Sequence, residues 1–566
     1  MKRYRYLSIF IFPLFLACGC VSFPPTAMSA DRANTADADL DERTLYEVLV
    51  GEMAVQRGQM DIAVEALSRA AGRTRDARLA ERASLAALYA KRFEDARRAA
   101  SLWVELQPES SDAHEALATA FLELDRVSDA RRELGRLLAI ERDNLDQAFL
   151  RVAALLGRAG PRESGLALMH ELTAQYPNVP AAHFALAHLA VRAGDLAAAE
   201  AAVDEALKRK PEWEDAALFK ARILVSQKNN PAAQRYFEDF LKAHPRAKEF
   251  RLHYARYLID QKQWEPAREQ FKRLVSESPE DADALFAVGL LALQTNRLDE
   301  AETYFKRALT KQPDNDQARV YLGQTFELDK RYGDAVRTYG EVKSSEYYFE
   351  AQLRLAMVTA RQGNVQRARE LLHAVPTENE QQHVQRVLAE EQILRDAKQF
   401  REALNLLNSS LSELPGQSDL LYARALVAER LDMLSVVETD LRAILDRDPK
   451  NVNALNALGY TLADRTNRYA EAQTLLMQAM EQKPDDPFVL DSVGWLHYRQ
   501  GNTAEAIKYL KRAMSLRHSD AEIAAHLGEV LWVTGDRKEA ESVWSQALRE
   551  APDSETLRDV IKKFKH

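Results

Sequence analysis

Cysteine is almost missing from this chain. Among 566 residues there are two, Cys18 and Cys20, both near the N-terminus, so no disulfide framework can brace the fold. Long apolar runs are missing as well: the mostly apolar stretch 7–16 is too short to cross a bilayer as a stable helix. Nor is there an excess of positive charge. Lys and Arg number 77 against 86 Asp and Glu, a formal net charge of −9, and binding to a phosphate backbone needs a basic stripe. The local basic set Arg73, Arg75, Arg78 and Arg82 reads as a solvated helix face. No Gly-rich phosphate loop ends in Lys-Ser or Lys-Thr. His114-Glu115 and His170-Glu171 begin like a zinc-protease helix, but Ala118 and Ala174 stand where the second histidine is needed. The 12 histidines are scattered. No metal site, cofactor or catalytic constellation is indicated, and the chain reads as non-enzymatic.

What the sequence does contain is a repeat. Small residues, with one Glu exception, recur at Gly51, Ser84, Ala118, Ala153, Ala187, Ala221, Ala255, Gly289, Gly323, Ala356, Glu391, Ala425, Gly459, Gly494 and Gly528, at intervals of 33, 34 or 35 residues. Seven residues after the small position stand Gly58, Gly160, Gly194, Gly363, Gly501 and Gly535, with Asn296 in the same slot. Gly, and less readily Asn, takes the left-handed conformation that closes a helix. Each unit therefore reads as a first helix, a turn and a second helix.

The last unit carries the fullest pattern: Leu527-Gly528, Leu531, Gly535, Ala540, Trp544, Ala547 and Pro552. Gly528 and Ala540 let two antiparallel helices approach, Leu527, Leu531 and Trp544 fill the space between them, and Pro552 ends the second helix. The later offsets return as Ala301, Phe305, Ala308 and Pro313, as Ala199, Ala206 and Pro211, and as Ala267, Phe271 and Pro279. This resembles the tetratricopeptide repeat. The resemblance implies an all-α solenoid, a right-handed superhelix of helix pairs, with about fifteen units over 41–553 and a capping helix over 554–566. Two units are weak: the one at Glu391 keeps only Ala403, Leu407 and Pro415, and the one at Ala153 has Gly165 where Ala is usual. Pro161 and the stretch 344–348 mark irregularities. A chain of 566 residues exceeds one compact core, but a solenoid escapes that limit because neighbouring units bury each other.

Before the repeats, Lys2, Arg3 and Arg5 precede the apolar stretch, the layout of a secretory signal. It ends in Leu16-Ala17-Cys18-Gly19-Cys20, similar to a bacterial lipobox, whose Cys receives lipid and becomes the new N-terminus. Gly19 favours Cys20, Leu16-Ala17 keeps Cys18 open, and ordinary cleavage between Ala27 and Ala30 is the alternative without lipid. The reading is thus a lipoprotein signal peptide over 1–20 and a flexible tether over 21–40, which carries Pro24, Pro25 and scattered Asp without helical period. In such lipoproteins an Asp after the modified Cys signals inner-membrane retention. Here Val21 or Gly19 follows, which implies anchorage at the periplasmic face of the outer membrane.

In the tetratricopeptide family, positions six and three before the small residue, and one and four after it, line a concave groove. In the last three units these are Asn453, Asn456, Tyr460 and Ala463; Phe488, Asp491, Trp495 and Tyr498; then Glu522, Ala525, Glu529 and Trp532. Amides suit a peptide backbone and aromatics bury its side chains, so Asn453, Asn456, Tyr460, Asp491, Trp495, Tyr498 and Trp532 are the candidate partner-binding residues. The chaperone-type carboxylate clamp is not implied, because Asn456, Tyr460, Ser492, Glu522 and His526 stand at its positions. The segment 456–464, with Asp491-Ser492-Val493-Gly494-Trp495 and 526–532, resembles outer-membrane tetratricopeptide lipoproteins of proteobacteria. One of these is the adaptor of a periplasmic carboxyl-terminal processing protease and presents cell-wall hydrolases to it. The resemblance implies a membrane-tethered scaffold with protein or peptide partners; the alternative is an assembly factor of an envelope machine such as a pilus, secretion system or polysaccharide exporter.

Replacing Cys18 and Cys20 together by Ser is expected to release the protein from the membrane fraction. Unchanged membrane association, with no acyl group found by mass spectrometry, would contradict the lipid anchor.

Overall fold

In several units proline and the polar residue two positions after it set the frame. Proline lacks the N–H that would continue the preceding helix, and the polar side chain caps the next one. Pro279 is followed by Asp281, which accepts from the Ala284 N–H; Pro313 is followed by Asn315, which accepts from Ala318; Pro484 is followed by Asp486, which accepts from Phe488 and Val489. One loop thus ends a second helix and starts the following first helix.

The computed structural model describes residues 42–160, 162–343, 346–518 and 520–564. Cys18, Cys20, the signal segment and the tether 21–40 lie outside the described residues, as do Pro161, Ser344 and Ser345. Among the described residues there are 31 α-helices and no strand, and no helix is long and apolar enough to cross a membrane. The chain divides into two compact units, 1–247 and 248–566. The first contains six helix pairs, from Glu42–Gln56 with Met60–Thr74 to Glu214–Ser226 with Asn230–Ala243. The second contains nine pairs, from Lys248–Asp260 with Trp264–Glu277 to Ala521–Val533 with Arg537–Glu550, then Glu555–Phe564. The division falls at neither of the irregularities in the sequence. The 34-residue spacing from Ala221 to Ala255 runs straight through it.

Within each pair the small position is where the helices touch. A Cβ built on Gly494 would lie 2.7 Å from Leu510 Cγ, and one on Gly323 would lie 2.6 Å from the Tyr339 ring. At Gly528 the Trp544 indole fills the place of a side chain. Gly165, the departure in the weak fourth unit, has the same reason: a Cβ there would lie 2.9 Å from the Leu156 carbonyl oxygen. Glu391 is the opposite exception. Its side chain is buried and accepts a 2.6 Å bond from Arg395 Nε, and burial pushes its carboxyl above the ordinary range.

The turn after the first helix is more uniform than its sequence. Backbone φ is positive at Gly194 and at the other glycines of that slot, but also at Lys91, Asp125, Lys228, Lys262, Asn296, Lys330, Lys398 and Asp432. Lysine there carries the penalty of an L-residue in the left-handed region, about 1–2 kcal/mol. Packing on both sides of the turn over-determines the conformation. The basic set Arg73, Arg75, Arg78 and Arg82, which straddles the first and second units, is paired throughout: Arg73 with Glu47, Arg75 with Glu105, Arg78 with Asp76 and Arg82 with Glu52.

Lys330→Gly should relieve the turn, with a net gain of about 0.5 kcal/mol after the extra entropy of Gly in the unfolded chain. Gly494→Arg should cost roughly 1–3 kcal/mol or more. Hydrogen exchange read unit by unit checks both, and damage from Gly494→Arg is expected to reach mainly the adjoining units.

Candidate partner-binding face

The first helices of the last three pairs, Val452–Arg465, Pro487–Arg499 and Ala521–Val533, bring most of the candidate residues together. Asp491 and His526 stand 35 residues apart, one unit spacing, so that their side chains meet between adjacent first helices. The His526 Nδ1–H donates to Asp491 at 2.9 Å (Oδ2) and 3.1 Å (Oδ1). Its Nε2 lies 3.4 Å from the Tyr460 hydroxyl, two units back. The His526 ring stacks on Trp495 at 4.2 Å between centroids. Trp495 in turn donates its indole N–H to Asp464 Oδ1 at 3.0 Å and lies 5.1 Å from the Tyr498 ring. Arg499 Nη1 donates to the same Asp464 oxygen at 2.8 Å.

The electrostatics of this face are one-sided. Burial opposes charging His526, but the facing Asp491 carboxylate, with Glu522 and Asp464 beyond it, outweighs that and holds the imidazole above its ordinary value. Burial, then the carboxylates of Asp464, Asp491, Glu429 and Glu522, push the Tyr460 phenol well up. Burial, with Glu522 and Asp464 against Arg430 and Arg465, also raises Glu429.

The candidates differ in accessibility. Asn453 is exposed, Tyr460 and Tyr498 are half-buried, and Trp495 and Asp491 are each 7% exposed. Asn456 Oδ1 is buried with no hydrogen-bond partner within the chain. Trp532 is set apart from the others. Its ring stacks on Trp544 at 5.6 Å and lies 6.4 Å from Phe564 of the C-terminal helix, so this candidate is half-buried, partly by the chain's own last helix. Spacing alone also missed His526, Asp464 and Arg499. Asp464 and Arg499 both stand five residues after their small residue, a signal that becomes readable only once consecutive first helices are laid side by side.

His114, the other motif fragment, serves packing. It is buried, with Nδ1 2.7 Å from Glu133 and Nε2 3.0 Å from the Pro108 carbonyl oxygen. Among the described residues no group of three or more His, Cys, Asp or Glu is arranged to hold a metal ion.

Tetratricopeptide-repeat family models match residues 219–282, 255–316, 286–348 and 438–487, and also 160–223 and 497–563, together just over half of the chain. The chain belongs to the tetratricopeptide-repeat proteins, whose repeats mediate protein–protein contacts, and it is an all-α interaction scaffold of that class. Over 214 residues it is 41% identical to TPR repeat-containing protein PA4667 of Pseudomonas aeruginosa, a match covering 38% of this chain and 36% of that protein. It is 32% identical over 97 residues to Bacteriophage adsorption protein A of Escherichia coli, covering 17% of this chain and 10% of that one. The chain thus spans about a third and a tenth of the length of these relatives. Among solved structures, a tetratricopeptide repeat protein from Parabacteroides merdae aligns at 18% identity and a TM-score of 0.35, over 50% of this chain and 99% of that one.

The raised value of His526 fixes a sign. A group whose folded value is raised contributes stability that is full below the ordinary histidine value, about 6.5, and is lost as pH rises through the folded value. The last units should therefore be more stable at about pH 6 than at about pH 8.5. Asp491→Asn should remove that difference and cost about 1.5–3 kcal/mol at the lower pH. Equal pH slopes for both proteins in denaturant unfolding would contradict the assignment.

Proposed function

We propose that this protein is a lipid-anchored adaptor of the bacterial periplasm, tethered at the outer membrane, that presents cell-wall hydrolases to a carboxyl-terminal processing protease. The observation that carries the reading is the gathering of Tyr460, Trp495 and Tyr498 about His526 across three consecutive first helices, with Asn453 exposed on the first of them. An exposed amide and half-buried phenols beside a fixed aromatic floor suit an extended peptide: the amide bonds its backbone and the rings bury its side chains. The floor is preorganised. Trp495 is held by Asp464 on one side and His526 on the other, so little ordering remains for binding to supply. The signal segment, the lipobox cysteines and the likeness of 456–464 to envelope lipoproteins support the compartment.

The test is a crosslinking pull-down from envelope extracts with the wild type and with Asn453→Ala/Tyr498→Ala, two positions whose loss leaves the buried floor in place. Truncating an aromatic anchor costs about 2 kcal/mol, so recovery of protease and hydrolases should fall about tenfold or more with the helical signal intact. Unchanged recovery would overturn the reading. Recovery of pilus, secretion or exporter components alone would move it to assembly of an envelope machine.

A further inference from the structure

The C-terminal helix Glu555–Phe564 does not sit as a further first helix would. It packs chiefly against the first helix of the last pair, Ala521–Val533, and only slightly against the second. Leu557 is fully buried, and Val560, Ile561 and Phe564 share its face, in a cluster with Trp532 and Trp544. Lys563 Nζ lies 3.1 Å from Glu529. Trp532 and Glu529 stand four and one residues after Gly528, two of the positions that line the partner-binding face. The helix therefore covers part of the last unit's share of that face, at Trp532 and Glu529.

Its start is held elsewhere. Glu555 accepts a 2.6 Å bond from Lys398 Nζ, 157 residues earlier, and the two side chains are 64% and 69% exposed. Lys398 occupies the positive-φ turn of the unit at Glu391. The Lys398 ammonium, with Arg430 beyond it, holds the Glu555 carboxyl below its ordinary range. An ion pair this exposed contributes little and is screened by salt.

We propose that the helix Glu555–Phe564 is a displaceable self-ligand: it occupies, on Trp532 and Glu529, a docking surface for an amphipathic helix of a partner protein with an apolar stripe and a lysine-bearing flank. The occupant's chemistry is read from the segment seated there. Leu557, Val560, Ile561 and Phe564 give the stripe, spaced as one helical face; Lys563 meets the carboxylate of Glu529, and Arg558 and Lys562 are exposed beside it. The Lys398–Glu555 pair is the latch that fixes where the helix begins. A partner helix of the same pattern takes the surface once the chain's own helix swings away on 551–554. This rests on the reading of the first-helix face as the partner surface and adds what its last unit binds.

The experiment uses the full chain as wild type, Lys398→Glu, and the charge swap Lys398→Glu/Glu555→Lys, with a fluorescent synthetic peptide of residues 554–566 as probe. In Lys398→Glu, hydrogen exchange across 555–564 should rise about two- to five-fold. Probe binding should tighten by a similar factor, and the swap should restore both to wild type. Adding Glu529→Lys to Lys398→Glu should weaken the probe about tenfold. Equal exchange and equal probe binding in the first three proteins would overturn the latch, and binding insensitive to Glu529→Lys, or matched by a scrambled peptide, would overturn the surface. These readouts substitute neither Asn453 nor Tyr498, and the latch arm touches neither, so their failure is distinct from failure of the pull-down.

Discussion

Everything in this molecule depends on two helices approaching more closely than an ordinary side chain permits. The large residue on the second helix, Leu510, Tyr339 or Trp544, occupies the volume that a Cβ on the first would need. That contact fixes the pair, the pair presents an apolar edge, and only the next pair can cover it. Interiors packed at crystal density tolerate neither a void nor an extra methyl group well. The period follows from this constraint, because a residue inserted between contacts would rotate the next helix away from its neighbour.

The same constraint frees the inner face. Packing within each pair is handled by the small positions and their partners, which leaves several of the residues six and three before them, and one and four after them, off the core, while Ala463 and Ala525 are buried in it. In the last three units they carry amide, phenol, indole and carboxylate groups. Asp491 among them is set against the His526 imidazole, and the neighbouring Asp464 against the Arg499 guanidinium. A fixed aromatic floor bordered by acidic groups is a surface on which partner selectivity comes from side-chain identity, while the scaffold beneath stays constant.

Much of this was legible in the sequence and some was not, for physical reasons. The fifteen helix pairs follow from the small positions, and the turns at Gly58, Gly194 and Gly501 from glycine's access to positive φ. The identical turns at Lys91, Lys262 and Lys330 were not legible, because there the packing of flanking helices imposes a conformation that lysine does not favour. Gly165 looked like a defect and is a close approach to the Leu156 carbonyl. On the partner-binding face, spacing identified which residues share a helix side. It could not reveal that His526 joins Asp491 to Tyr460, or that Asp464 holds both Trp495 and Arg499, since those links run between units. Nor could it reveal that Trp532 lies beside Phe564, because the period says nothing of where the helix after the last repeat comes to rest.

The central claim is that partners lie along the inner faces of the last three first helices. Its most direct measurement is site-specific photocrosslinking in intact cells, with a photoreactive phenylalanine placed singly at 453, 498 or 522 on that face, or at 477, 508 or 541 on the second helices. The account predicts covalent partner adducts from the first set and none from the second. Adducts confined to the second set, from proteins that fold and localise as the wild type does, would contradict it.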